Sequence, residues 1–564
     1  MKRYHVERLH AKTAGSIAML LMLSACSGNW ITVTDDPVTD DPSDEGGITA
    51  VDGTISIVYS SDGATVSGDE LGIVSVDGND VTVINTSESC FTYELSGTAS
   101  DGFFKLYSDA KQTISLKNLS LTNPDGAAIS NQSHKYTSVI VSGTNSLADG
   151  GVNSSGAYND ESSDEDMKAA FFSEGQLIFS GDGSLTVTAV GKAGITSDDY
   201  IRITENPTIT VSSKSGHGIR GKEKVLVEGG TVGVSVAGTG KKGISTDGNF
   251  YQSAGSVTIS STSAAGTVDN ELTGAAGIRA DTAFAIEGGS LEITVSGTGA
   301  KGINCDGDGH FNGGTVKVTA TGSNYGSGGS QRPGWGSSSD SDTKAAKGIK
   351  FDGSLYFGGA DVTASASSHE AIEAKGSISI SAGSVSATSS DDAINSGSDM
   401  TITGGKIYAF SSGNDGLDAN GNMYVKGGYV YAVGSGSPEV ALDANSEGGY
   451  KLYISGGSLI AFGGIESGSS ITQPVINVTS WTANASYSLC NTDGEELLGF
   501  TAPAKGGSGI VLSHPDLVSG SSYTLKSGST SSTVTASLSS SGSTGGGQGG
   551  GGFPGGGGGP GGRH

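Results

Sequence analysis

The sequence predicts an all-β chain wound as a right-handed parallel β-helix, a solenoid of about 22–25-residue coils with three short strands each, closed by a small C-terminal β cap. Three observations predict it. First, an apolar anchor next to small residues recurs at Phe171, Ile195, Ile219, Ile244, Ile278, Ile303, Ile349, Ile372, Ile394, Leu417 and Leu442, with successive gaps of 24, 24, 25, 34, 25, 46, 23, 22, 23 and 25. Ile129 and Ile465 extend the series at its two ends. Second, most rows hold three short apolar stretches. The third follows a glycine pair, as in "GGSLEITV", "GGKIYAF" and "GGYVYAV", and glycine supplies the left-handed backbone that a corner needs. Third, the chain has 95 Gly and 11 Pro with 6% aromatic residues, and Ser, Thr, Val and Ile favour strands and turns over helices. An antiparallel sandwich would need no such constant period. The right hand is that of known parallel solenoids.

The elements follow in chain order. Residues 1–25 read as a lipoprotein signal peptide: Lys2, Arg3, Arg8 and Lys12 precede the short apolar run "AGSIAMLLML", and "LSAC" ends at Cys26, the expected lipidation site. The expected location is the bacterial cell envelope, lipid-anchored at the outer membrane or cell surface, with that lipid as the sole membrane contact. Residues 26–49, including "DDPVTDDPSDEGG", form an acidic tether too polar to fold. Residues 50–473 are the β-helix. The two long gaps are insertions, near Ser260–Gly274 and Thr321–Ala345. The repeat breaks over residues 474–527, the expected β cap over an open solenoid end. Residues 528–564 are a Ser/Gly-rich tail without a core. Cys90, Cys305 and Cys490 are widely spaced and form no disulfide or zinc framework. A net charge of −27 excludes nucleic acid, whose phosphates need Lys and Arg.

In a solenoid, equivalent positions of successive coils lie about 4.8 Å apart, so columns matter more than sequence neighbours. Two residues after each anchor the side chain points inward, and this column is mostly small: Ala280, Cys305, Phe351, Ala374, Ser396, Ala419 and Ala444. Two residues before the anchor the column reads Lys242, Ala276, Lys301, Lys347, Glu370, Asp392, Asp415, Val440; one residue after it, Ser245, Arg279, Asn304, Lys350, Glu373, Asn395, Asp418, Asp443. Both columns turn acidic at the same coil. Glu370, Glu373, Asp391, Asp392, Asn395, Asp415 and Asp418 are therefore expected to share one exposed face. Stacked carboxylates repel, and Ca2+, which takes six to eight oxygens at about 2.3–2.6 Å, fits between carboxylates one ladder step apart. Zinc or copper would need His or Cys, and only His369 lies nearby. The alternative is a solvated acidic face. Three residues after the anchor, Asp198, Asp247, Asp281, Asp306 and Asp352 read as corner caps. The loop "YNDESSDED" reads as a second cation site or simply as a solvated loop.

The ordered series "SLTNPDGAAIS", "GTNSLADGG", "DESSDEDMKAAFF" and the rows from "KAGITSDD" to "DDAINSG" and "NDGLDANG" resembles the extracellular carbohydrate-binding β-helix family of cellulolytic clostridia, over roughly residues 90–470. That resemblance implies a parallel β-helix, bound calcium, and binding of cellulose or polygalacturonate. The chain is also similar in fold to calcium-dependent pectate lyases. Their D-D-x-x-D cluster is partly met by Asp391, Asp392 and Asn395, where Asn395 stands in place of an acid and offers an amide oxygen.

Three functions fit these residues. As a polysaccharide binder, the protein would bridge uronates through calcium, and would stack neutral glucan on aromatic rings. The candidates are Tyr408 and Tyr431 on adjacent third strands, for which packing under the C-terminal segment is the alternative, and Trp335 in the long loop, for which chance exposure is the alternative. As a calcium-dependent lyase it would need a base for the C5 proton, and Lys375, Lys350 or Lys347 could reach the calcium column. No other catalytic constellation stands out, and the expectation is a non-catalytic protein. The third reading is an adhesin or surface spacer.

Overall fold

A computed structural model describes residues 50–160, 165–326 and 344–539 of the 564-residue chain. The signal segment, Cys26, the tether, Trp335 and the Gly-rich end lie outside these residues. The described chain is a parallel β-solenoid of about 14 turns, and no helix in it is long and apolar enough to cross a membrane.

The anchors form one wall. A 15-stranded sheet pairs Ile129 with Phe171, Phe171 with Ile195, and so on in register to Leu417 with Leu442. A bridge adds Ile465. Val81 and Phe104 extend the same wall toward the N-terminus. The second and third strands of each coil join a 25-stranded sheet. All these anchors are buried. The inward column two residues on is buried as well, and burial pushes the Cys305 thiol up to about 12, so it stays a neutral core side chain.

The corner between second and third strands shows why glycine recurs there. Gly428 has φ 78°, and a Cβ on it would meet the Gly404 carbonyl oxygen at 2.7 Å. The opposite corner, between a third strand and the next anchor, is where length varies. One insertion closes on itself as a hairpin, Gly266–Val268 with Glu271–Thr273. The other insertions, 149–168 and 321–348, leave from the same corner.

At the C-terminal end, Ile510–Ser513 pairs antiparallel with Leu452–Phe462 and with Val475–Val478. Beyond it a four-stranded antiparallel sheet buries Leu489, Leu498, Phe500, Tyr523 and Leu525. The tail begins later than residue 528. Thr530–Thr535 pairs with Ser522–Ser527 around Gly528, whose φ is 57°; an alternating Ser/Thr/Val run next to a free strand edge completes the sheet.

Candidate functional site

The charges on the anchor wall are mostly paired, and the exceptions define the site. On the N-terminal coils, cations one residue past the anchor meet the corner aspartates. Arg220 pairs with Asp247 (2.8 Å), Arg279 with Asp281 (2.5 Å) and Asp306, and Lys350 with Asp352. The column of corner aspartates thus acts mainly as counter-ions. The sign reverses at Lys347, which lies buried between Glu370 (3.0 Å) and Glu373, while Lys375 takes the other oxygen of Glu373. Burial pushes the Lys347 ammonium down, yet the two carboxylates carry it above the ordinary lysine value. Burial pushes Glu370 up, but His369 and Lys347 outweigh it and hold the carboxyl down at about 2.

These contacts correct the expected ligand set. Glu370 and Glu373 are not on an open face; they are buried and already held by lysines. Asp392 and Asp415 are buried too, because each corner carboxylate turns to accept the backbone N–H of the next coil. Asp392 Oδ1 accepts from Asp415 N at 3.1 Å, and Asp415 Oδ1 accepts from Val440 N at 2.5 Å. Asn395 donates through Nδ2 to Asp392 (3.1 Å) and Asp418 (2.5 Å).

Past Lys375 the anchor strands and the corners before them carry no lysine or arginine. A cleft of about 1060 Å³ is lined by Asp391, Asp415, Asp418, Glu439, Asp443 and Glu447, with Asn414, Asn420 and Asn445 among them and no lysine or arginine among the described lining residues. Burial first, and then the neighbouring carboxylates, push Asp392 up to about 9, Asp415 up to about 8 and Asp418 up to about 7. Asp443 is raised as well and hydrogen-bonds Glu466. As carboxylates these groups repel one another, which adds to their raised proton affinity. The chemistry fits calcium, with hard oxygen donors, several of them anionic, converging from three coils. Asp391, Asp415, Asp418, Glu439 and Asp443 would hold it. His369, Glu370 and Asp391 also bring one ligand atom each within 4.8 Å of one another at the rim. Asp166, Glu174 and Asp198 do the same at the N-terminal insertion, although Lys168 already pairs with Asp166 (2.8 Å) and Asp198.

The expected ligand set left out Asp443, although the column one residue past the anchors runs on to it, and column reasoning missed Glu439 and Glu466. Extending that column by one further coil, to Ile465, reaches Glu466. Glu439 sits in a corner loop that carries no period.

The candidate bases are ion-paired. Lys347 and Lys375 share Glu373, and Lys350 faces Asp352. Of the aromatic candidates, Tyr431 is not free to stack on sugar. Its hydroxyl donates to Thr501 O at 2.8 Å and its ring packs against Phe462 under the cap. Tyr408 keeps 42% exposure beside it. A better platform lies on the outward face of the second strands. His310 stacks on Tyr356 (4.7 Å, 9°) and Tyr424 on Tyr453 (5.0 Å, 12°) in one column, with Ser379 and Thr401 between the pairs. The stretches "LYF", "MYV" and "LYI" carried that signal in the sequence.

No curated protein has a matching sequence. Among solved structures, the chain is similar to a polysaccharide lyase-like protein from C. thermocellum, determined as a gadolinium derivative. The identity is 20%, with 48% of this chain and 92% of that chain covered and a TM-score of 0.32. Residues 77–416 match the sequence pattern of carbohydrate-binding domain-containing proteins. That match spans more than half of the chain and the anchor wall as far as the edge of the acidic cleft, and the chain belongs to this carbohydrate-binding family.

Proposed function

We propose that the protein is a cell-surface lipoprotein, anchored through Cys26, that binds polysaccharide on the walls of its solenoid, with calcium in the acidic cleft. The observation that carries this reading is the cleft itself. Elsewhere along the anchor wall most acids have basic partners, whereas those around Asp415, Asp418 and Asp443 face each other. Calcium there would reverse the local charge and accept the carboxylates of an acidic plant polysaccharide such as polygalacturonate. The stacked Tyr424 and Tyr453 suit a neutral glucan such as cellulose.

Retention on insoluble matrices tests the proposal. Binding to pectate in calcium and its marked weakening in excess chelator are the expected result; no retention on pectate or cellulose under either condition would leave a surface spacer. Growth of the unsaturated product's ultraviolet absorbance with polygalacturonate would instead make the protein a lyase. For the neutral glucan, Tyr424→Ala with Tyr453→Ala should weaken retention on cellulose roughly tenfold, at about 0.5–1.5 kcal/mol for each aromatic contact. Pectate retention in calcium should not change.

A further inference from the structure

The same wall carries a second cleft with the opposite sign. It is about 340 Å³ and is lined by His217, Arg220, Lys242, Arg279, Lys301 and Asn304, with Asp247 and Asp281 among the others; its last coil, that of Ile303, lies three coils before that of Ile394 at the edge of the acidic cleft. Arg220 and Arg279 are neutralised by Asp247, Asp281 and Asp306. Lys242 and Lys301 have no acidic partner within ion-pair distance among the described residues. They occupy the same column two coils apart, since Lys242 is in register with Ala276 and Ala276 with Lys301. Their backbones are therefore roughly 10 Å apart along the axis, two ladder steps, with only a methyl group between them. Four-carbon side chains span that distance from both sides.

One further group points to an anion. His217 Nδ1 accepts the Lys242 backbone N–H at 3.1 Å. Burial first, and then Lys242 and Lys241, push its imidazole down to about 3, which leaves one ring proton on Nε2 as a donor. Burial and neighbouring cations likewise push Lys242 and Lys301 each down to about 8. An uncompensated pair of ammonium groups in a partly buried notch is the mirror image of the acidic cleft.

We propose that this cleft is an anion subsite, in which Lys242 and Lys301 hold one carboxylate or sulfate of an anionic glycan above Ala276 without calcium. The inference rests on the polysaccharide reading for the source of the anion, but not on the metal. The test is calorimetric titration of the full-length protein in excess chelator with trigalacturonate, with inorganic sulfate, and with neutral cellotriose. Trigalacturonate should bind the wild type. It should bind at least tenfold more weakly to Lys242→Gln/Lys301→Gln and unchanged to Lys242→Arg/Lys301→Arg and to Asp415→Asn/Asp418→Asn. Cellotriose binding should be indifferent to the lysines. Equal trigalacturonate affinity in the Gln variant, with its melting curve intact, overturns the proposal. So does sulfate binding without any trigalacturonate binding, which would make the cleft a site for a free inorganic anion. Pectate retention by the wild type that is the same in calcium and in chelator, with this binding present, would count against the acidic cleft alone.

Discussion

In millimolar calcium the protein should melt several degrees higher than in excess chelator, and the gap should widen as pH rises from 6 to 9. A ligand that binds only the folded state at 1,000 times its Kd contributes about 4.1 kcal/mol. The pH dependence follows from the raised acids. Asp392, Asp415 and Asp418 titrate at about 9, 8 and 7 in the folded chain, against about 3.9 when unfolded. Between those values the folded state binds more protons than the unfolded state, so without calcium stability is fully present below about pH 4 and is lost as pH climbs through 7 to 9. Calcium bound there would compete with those protons and replace what they supply. Because stability in a solenoid is close to a sum over neighbouring coils, hydrogen exchange should show the loss concentrated around Ile394–Ala444. Asp415→Asn/Asp418→Asn should flatten the pH dependence and abolish the calcium shift. A melting temperature that ignores calcium at pH 8.5 would sink the metal site.

Lys347→Met should cost about 3–5 kcal/mol, because removing one partner of a buried ionic cluster leaves the others under-compensated. Glu370 and Glu373, both at most 9% exposed in their side chains, lose the ammonium between them and keep only His369 and the exposed Lys375 as partners. Chemical denaturation measures the loss. Adding Glu370→Gln and Glu373→Leu should recover most of it, since replacing a whole buried ionic group by neutral side chains is often close to neutral. If the single substitution is silent, Lys347 does not hold the wall together at the point where its sign reverses.

Much of the frame was legible in the residues. Each anchor from Phe171 to Leu442 pairs with the next because a small-plus-apolar phrase every 22 to 25 residues can be buried in only one stacking register. The inward position of Ala374, Ser396 and Ala419 followed from alternation alone. The column also brought Asp391, Asp415 and Asp418 to one cleft. Partnership was not legible. Nothing in the order of residues says that Lys347 closes on Glu370 and Glu373, or that Asp392 caps the next coil's N–H, because side-chain direction at a corner depends on the turn and not on a period. For Tyr431 the structure selects the alternative reading, packing under the C-terminal segment; its particular partner, the Thr501 carbonyl, was not legible because it lies 70 residues away in a cap that shares no repeat with it.

The variable-length loops have a consequence for how such a rod could be retailored. All of them leave from the one corner that also borders the two charged clefts, while the walls keep a constant pace. Loop length is cheap in free energy, since doubling it adds only about 0.6 kcal/mol of closure entropy. Guest preference and scaffold integrity are therefore written on different edges of the prism. Exchanging the segment around Gly266–Thr273 for another hairpin would redecorate the edge proposed to bind and leave the stacked interior untouched.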